Sequence, residues 1–216
     1  MNPSLSLFDE GVQAENIALP DALLRFIPRF YSEDKAWEHF AALHEEVPWR
    51  HEPITLWGRQ FLQPRLTAWY GDAGADYTYS GLSMAPLAWS PRLAAIKAAV
   101  ESACERRFNS VLLNLYRDER DSVGWHSDDE AELGQHPFIA SLSLGESRVF
   151  KMKHKLRKQE KPVSLELGNG SLLVMAGSTQ QFWLHAVEKE RRPRGARINL
   201  TFRTIHPGRT GSIAKN

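Results

Sequence analysis

The pattern of hydrophobic and polar positions changes period once along the chain. Before about residue 110 the readable segments are helical. Ser32 caps a segment that opens with Glu33 and Asp34, after which Trp37, Phe40, Ala41, His44 and Val47 recur at helical spacing. Ser90 and Pro91 start a second helix, with proline at its favoured first position. Leu93, Ile96, Val100, Cys104 and Phe108 are its expected apolar stripe. From Val111 the period is two. Val111–Arg117, Phe138–Leu144, Arg148–Lys153, Val163–Leu167, Ser171–Ala176, Phe182–Val187 and Ala196–Thr204 read as short strands, punctuated by Gly145, Gly168, Gly170, Gly177 and Gly195. Short strands behind two helices predict an all-β core, closed or double-sheeted, with a helical buttress. The division expected is a flexible tail over 1–18, an N-terminal extension with the helices over 19–110, the β core over 111–206 and a C-terminal tail over 207–216, one compact domain in all.

Length agrees, since 216 residues suffice for one domain with a sizeable core. No apolar run reaches the length of a membrane span, and Met1–Gly11 lacks the basic start and apolar stretch of a signal peptide, so a cytoplasmic or other intracellular enzyme is expected. The single cysteine, Cys104, cannot form an intrachain disulfide and reads as a small buried hydrophobe rather than a nucleophile. A net charge of +1 neither demands nor excludes nucleic acid. Basic residues cluster in Lys151–Lys161 and Lys189–Arg194, either as solvated hairpin loops or as loops that grip phosphates.

The chemistry begins at Gly124–Glu130. His126 and Asp128 stand two apart, and in an extended segment alternate residues reach the same face and one ion. His185, on a later strand, can supply the third ligand. Two histidines and a carboxylate on one face of an octahedron leave open positions, as in non-haem iron oxygenases. Taken alone, His126 and Asp128 are equally a turn stabilised by polar side chains. A second His-x-Glu, His44 with Glu46, falls in a helix, where such a pair diverges by about 200°, and reads as surface polarity. The strand Arg197–Arg203 decides. Arg197, Asn199, Thr201 and Arg203 share one face, and Ile198, Leu200 and Phe202 the other. Arginines pointing into a closed core are costly unless an anion neutralises them, and a dicarboxylate offers one carboxylate to each guanidinium. The other reading is an exposed face with solvated arginines. Asn114 and Tyr116 share a face of Val111–Arg117 and can complete the anion's hydrogen bonds, or can form a polar outer face.

Asn114-x-Tyr116, His126-x-Asp128, His185 and Arg197-x-Asn199-x-Thr201-Phe202-Arg203 resemble the AlkB family of alkylation-repair dioxygenases in order and spacing. The resemblance runs from about Gln63 to Ile205. It is nearest to the animal members that act on double-stranded DNA, through Pro64-Arg65, Tyr70–Gly74, Tyr77–Gly81 and Ile139–Gly145. It implies a double-stranded β-helix with an N-terminal nucleotide-recognition lid, and Fe(II) held by His126, Asp128 and His185. It further implies 2-oxoglutarate with its distal carboxylate on Arg197 and its other end served by Asn199 and Arg203, with Asn114, Tyr116 and Thr201 in the same pocket. The implied activity is oxidative dealkylation of 1-methyladenine- and 3-methylcytosine-type bases in DNA, or RNA, using O₂ and releasing aldehyde, succinate and CO₂.

A base inside a duplex must be flipped out to react. The resemblance implies Tyr79 and His126 as the flat walls of its slot, with Tyr77, Asp129 and Glu130 at the base edge and Arg65 nearby. Tyr77 and Tyr79 are equally alternate residues of an ordinary strand. Acidic residues suit N1- and N3-alkylated bases, which are cationic. Trp57, before Gly58, is either a wedge filling the gap left by the flipped base or a core residue. Leu5–Phe8 resembles peptides that dock bacterial sliding clamps, though without their leading Gln, and otherwise reads as a tail covering the domain. A monomer without membrane attachment is expected. Two rivals stand: an oxygenase of the same chemistry acting on a protein or small molecule, and a non-catalytic nucleic-acid-binding module.

Overall fold

The structure, a computed structural model, describes residues 13–56, 59–75, 77–79 and 82–206, leaving aside the side chains of 54–56, 77–79 and 82–84. Leu5–Phe8, Trp57 and the 207–216 segment lie outside the described residues. In chain order the strands are β1 (Glu15–Ile17), β2 (Leu23–Ile27), β3 (Pro53–Leu56), β4 (Arg59–Leu62), β5 (Leu66–Gly71), β6 (Tyr77–Tyr79), β7 (Leu82–Met84) and β8 (Ser110–Tyr116). They continue with β9 (Val123–His126), β10 (Ile139–Gly145), β11 (Arg148–His154), β12 (Val163–Leu167), β13 (Leu172–Ala176), β14 (Trp183–Val187) and β15 (Arg197–Arg203). The helices are α1 (Glu33–Glu46), α2 (Pro91–Cys104) and the single turn α3 (Thr179–Phe182).

Seven strands form one antiparallel sheet in the order β1-β2-β13-β10-β15-β8-β5, and four form a second, β12-β11-β14-β9. From β8 onward the chain shuttles between them: β8, β10, β13 and β15 lie in the large sheet and β9, β11, β12 and β14 in the small one. This is the jelly-roll, double-stranded β-helix architecture. The large sheet also recruits β1, β2 and β5 from before residue 110. The expected tail therefore stops short of residue 18: Glu15–Ile17 pairs antiparallel with Leu24–Phe26, so three weakly patterned residues are held by backbone hydrogen bonds, with Ile17 packed against the inter-sheet core.

Period-two alternation divides two apolar cores. Val111, Leu113 and Leu115 of β8, Leu142 and Leu144 of β10, and Ile198, Leu200 and Phe202 of β15 face α1 and α2. Between the sheets lie Tyr116, Ile139, Phe150, Met152, Met175, Trp183 and Val187. The buried face of α1 differs in phase from the expectation, and α2 ends earlier than its expected stripe. Both caps hold, Ser32 accepting from the Lys35 amide and Ser90 from Leu93. On α1, however, Ala36, His39 and Leu43 are buried, while Trp37 is exposed and donates its indole N–H to Glu33. An amphipathic pattern with two overlapping apolar stripes leaves the sheet to choose between them. On α2, Leu93, Ile96 and Val100 are buried as expected, but the helix ends at Cys104 with Glu105 left-handed, so Phe108 reaches the core from the following loop. Buried Glu101 holds that loop by accepting from the Phe108 amide. Cys104 is half-buried, and burial pushes its thiol up to about 11. Lys151 and Lys153, which open the first basic cluster, sit on β11, within the expected strand Arg148–Lys153.

Gly145 marks where β10 crosses to the small sheet. Its φ is +86°, and a Cβ there would lie 2.6 Å from the Ala196 carbonyl oxygen and 2.7 Å from the Phe40 ring, so glycine lets α1 approach the sheet.

Candidate metal centre

The small sheet brings His126 and His185 together as directly paired residues of β9 and β14. Their ring centroids are 4.3 Å apart. Asp128 lies two residues past the end of β9, and the ligand atoms of His126, Asp128 and His185 all fall within 4.8 Å of one another. Each is held from behind. The Gly124 carbonyl stands 2.8 Å from His126 Nδ1, so that nitrogen carries the proton and Nε2 keeps its lone pair. His185 stacks on Phe150. Arg203 donates Nη2–H to Asp128 Oδ2 at 2.8 Å, and the Asp128 amide donates to Gln180 Oε1 at 3.0 Å.

The electrostatics suit ligation. Burial, reinforced by His126, brings the His185 imidazole down to about 3, and burial likewise lowers His126. Both are therefore neutral donors at neutral pH. Burial works to raise Asp128, but Arg203 and the two imidazoles outweigh it and hold the carboxyl at about 2. Its Oδ1 is buried with no hydrogen-bond partner among the described residues, and His126 Nε2 stands 3.8 Å away. Two neutral imidazoles and an ionised carboxylate with one free oxygen fit a divalent first-row metal with open positions.

The arginines of β15 are buried, not solvated: Arg197 is 1 % exposed and Arg203 is 3 %. Arg197 lines the same pocket as the three ligands, together with Asn114, Tyr116, Asn199, Thr201, Arg203 and Arg65. It donates Nη2–H to Ser143 Oγ at 2.9 Å, while its Nε and Nη1 have no hydrogen-bond partner among the described residues. Burial pulls its pKa down to about 10, with Tyr116 opposing, so it stays charged at neutral pH. A neighbouring buried arginine gives the contrast. Arg148 donates to Glu190 Oε1 and to the carbonyls of Asp118, Asp121 and Glu188, at 2.8–3.1 Å. This fold saturates one buried guanidinium and leaves two nitrogens of another, which packs against the Tyr116 ring, without a hydrogen-bond partner among the described residues. Since an unneutralised buried cation costs several kcal/mol, Arg197 fits a carboxylate ligand.

The remaining polar residues of the pocket floor form a network. Asn199 donates to Ser141 Oγ and accepts from Thr201 Oγ1 and Asn114 Nδ2, and Arg65 Nε donates to Asn114 Oδ1 at 2.7 Å. Arg65, expected beside the nucleic-acid base, is thus buried against the pocket floor. Arg203, expected on the cosubstrate, holds Asp128. Asp129 is exposed and pairs with Lys155 Nζ at 3.1 Å, and Glu130 is partly buried beside it. Tyr77 and Tyr79 occupy β6, but their side chains are not among those described. Sequence reasoning did not find Gln180, Ser141, Ser143 or Phe150. Ser141 and Ser143 carried a signal, since they alternate with Leu142 and Leu144 and face the pocket by strand period alone.

The family model of the 2OG-Fe(II) oxygenase superfamily matches residues 23–203. Over 193 residues the chain is 44 % identical to the alpha-ketoglutarate-dependent dioxygenase alkB homolog 3 of Bos taurus, covering 86 % of this chain and 67 % of that protein. The Homo sapiens homolog 3 is 45 % identical, with 79 % and 62 % covered. The DNA oxidative demethylase ALKBH2 of Homo sapiens is 38 % identical, with 81 % and 70 % covered. The chain spans about two thirds, 60–67 %, of the homolog 3 proteins it matches. The solved structure of OsALKBH1 superposes with a TM-score of 0.59 at 16 % identity, covering 89 % of this chain and all of that one, which supports the fold. The cofactors this family uses, Fe(II) and 2-oxoglutarate, are those the donor set and the buried guanidinium accommodate. By family model and by relatives, the chain belongs to the 2OG-Fe(II) oxygenase superfamily and, within it, to the AlkB family.

Proposed function

We propose that this protein is an Fe(II)- and 2-oxoglutarate-dependent dioxygenase that removes alkyl groups from N-alkylated bases, of the 1-methyladenine and 3-methylcytosine type, in DNA or RNA. The observation that carries the reading is one pocket holding both a compact His-Asp-His set and a buried arginine with two unpartnered nitrogens. Relatives named as alkB homolog 3 and DNA oxidative demethylase supply the substrate class.

His126, Asp128 and His185 would hold the iron, and Arg197 would take the distal carboxylate of 2-oxoglutarate. Once bound, the pair supplies an O₂-derived oxidant that hydroxylates the N-alkyl carbon, whose group then leaves as an aldehyde. The protein's own contribution is placement. Arg203 fixes one oxygen of Asp128 and so orients the other. The Gly124 carbonyl fixes the tautomer of His126. Leu112, Phe150, Met175 and Val187 line the pocket and exclude water from it. Asp129, next to buried Asp128 yet itself exposed, offers a carboxylate to a cationic base, for which the base competes with Lys155. The aromatic wall at Tyr79, the edge contacts of Tyr77 and Glu130 and the wedge at Trp57 belong to the same proposal. So do a monomeric state and sliding-clamp docking through Leu5–Phe8, which loss of clamp pull-down on changing Leu7 and Phe8 to Ala would test.

The test is incubation with Fe(II), 2-oxoglutarate and an oligonucleotide bearing 3-methylcytosine, followed by mass analysis. Loss of one methylene equivalent with stoichiometric succinate is expected. Turnover of peptides or small molecules and none of the oligonucleotide would redirect the assignment to the rival oxygenase.

A further inference from the structure

The ligand Asp128 raises a backbone question that the triad itself does not answer. The β9–β14 ladder ends at the His126–His185 pair. Asp128 lies two residues beyond it, 1 % exposed, so its amide N–H has left the sheet without reaching water. A buried amide with no acceptor costs about 1–3 kcal/mol, and a ligand tied down at its side chain alone can swing on its backbone. The acceptor present is Gln180 Oε1, at 3.0 Å. Gln180 belongs to α3, the turn that immediately precedes β14, and is 1 % exposed.

Gln180 is itself anchored. Its backbone carbonyl accepts from Lys155 Nζ at 2.9 Å, and its Nε2 makes only a weak 3.6 Å contact with Met175 Sδ. Thr179, beside it, donates to the Ala176 carbonyl and accepts from the Leu23 amide, fixing α3 to the large sheet.

We infer that Gln180 is a positioning residue for the metal centre: it holds the Asp128 backbone while Arg203 holds the carboxylate, leaving Oδ1 as the oxygen offered to the ion. The inference rests on the reading of His126, Asp128 and His185 as metal ligands. One turn, α3, then fastens two ligands at once, Asp128 through Gln180 and His185 through the strand that follows.

The experiment is a Co(II) titration of the metal-free protein, followed by visible absorption, for the wild type, Gln180→Met and Gln180→Glu. Methionine keeps the volume and loses the acceptor, whereas glutamate keeps the acceptor. Gln180→Met is expected to weaken Co(II) binding about 10–100-fold with an altered spectrum, and Gln180→Glu to restore most of both. Unchanged affinity and spectrum in Gln180→Met overturns the inference while leaving the triad intact. A wild-type protein that takes up no Co(II) instead refutes the triad. Should Gln180→Met not fold, amide hydrogen exchange on the unaltered protein decides: the Asp128 N–H must exchange slowly despite lying outside any strand, and fast exchange overturns the inference.

Discussion

Replacing Arg197 with methionine should separate stability from cosubstrate binding in opposite directions. Arg197 is fully buried and charged, and among the described residues it donates to Ser143 Oγ, with the Tyr116 ring 5.2 Å from its guanidinium. An isolated buried ion costs several kcal/mol, and neither a single neutral hydrogen bond nor a cation–π contact of about 0.5–2 kcal/mol offsets that. Exchange for an apolar side chain of similar volume therefore leaves the ligand-free protein as stable as before or more stable, by up to about 1–4 kcal/mol. The same exchange removes the charged partner of a desolvated carboxylate, a loss of about 3–5 kcal/mol, so 2-oxoglutarate affinity should fall by roughly two to three and a half orders of magnitude. Arg148→Met is the control. It strands the carbonyls of Asp118, Asp121 and Glu188, and should destabilise by about 3–5 kcal/mol. Urea denaturation of the metal-free variants and anaerobic 2-oxoglutarate titration of the Fe(II)-loaded ones measure both quantities. If Arg197→Met destabilises as much as Arg148→Met and leaves 2-oxoglutarate binding unchanged, the argument from unpartnered nitrogens is wrong.

Acid should destabilise the metal-free protein well before its carboxylates titrate. The His185 imidazole is held near 3 when folded against 6.5 when free, so between those values the unfolded chain binds a proton that the folded one does not. Stability then falls as pH drops below 6.5, with a slope approaching about 1.4 kcal/mol per pH unit. Urea midpoints between pH 7 and pH 5 should show it, and His185→Gln should flatten the slope; an equal slope in both would contradict it. Gly145→Ala must accept a left-handed backbone and a 2.6 Å approach to the Ala196 carbonyl oxygen, and should cost about 2 kcal/mol or more by the same denaturation assay. Asp129→Asn should raise KM for a 3-methylcytosine oligonucleotide several-fold with little change in kcat, as expected of a group that attracts the cationic base; an unchanged KM removes it from the substrate site.

Apart from β9, which is four residues long and nowhere fully buried, the strands after residue 110 were legible because burial imposes side-chain alternation on them. β12 has the same ends in both readings, and β8, β10, β11 and β15 differ from expectation by one residue. The strands before residue 110 were not legible. β1 is three residues long, all four residues of β4 are exposed, and β5 is buried almost throughout, so none of them alternates. For the site, the alternation of Arg197, Asn199, Thr201 and Arg203 against Ile198, Leu200 and Phe202 put both arginines on one face, with burial beside an anion favoured over solvent exposure, and both are buried. What alternation does not carry is which partner each guanidinium meets. Arg203 turns to Asp128 because that carboxylate, 75 residues earlier in the chain, follows a strand of the other sheet and meets it in the pocket they share. Gln180 escaped notice for the same reason: a glutamine in a turn has no period, and its role exists only where α3 meets the end of β9.

Everything in the site depends on one ion being held jointly by side chains from β9, the residues after it and β14. Anaerobic equilibrium dialysis against Fe(II) measures this most directly. The wild-type chain should bind one Fe(II), and His126→Ala, Asp128→Ala and His185→Ala should each lose it while keeping the wild-type circular dichroism. Full iron binding by a folded variant lacking all three side chains would contradict the assignment.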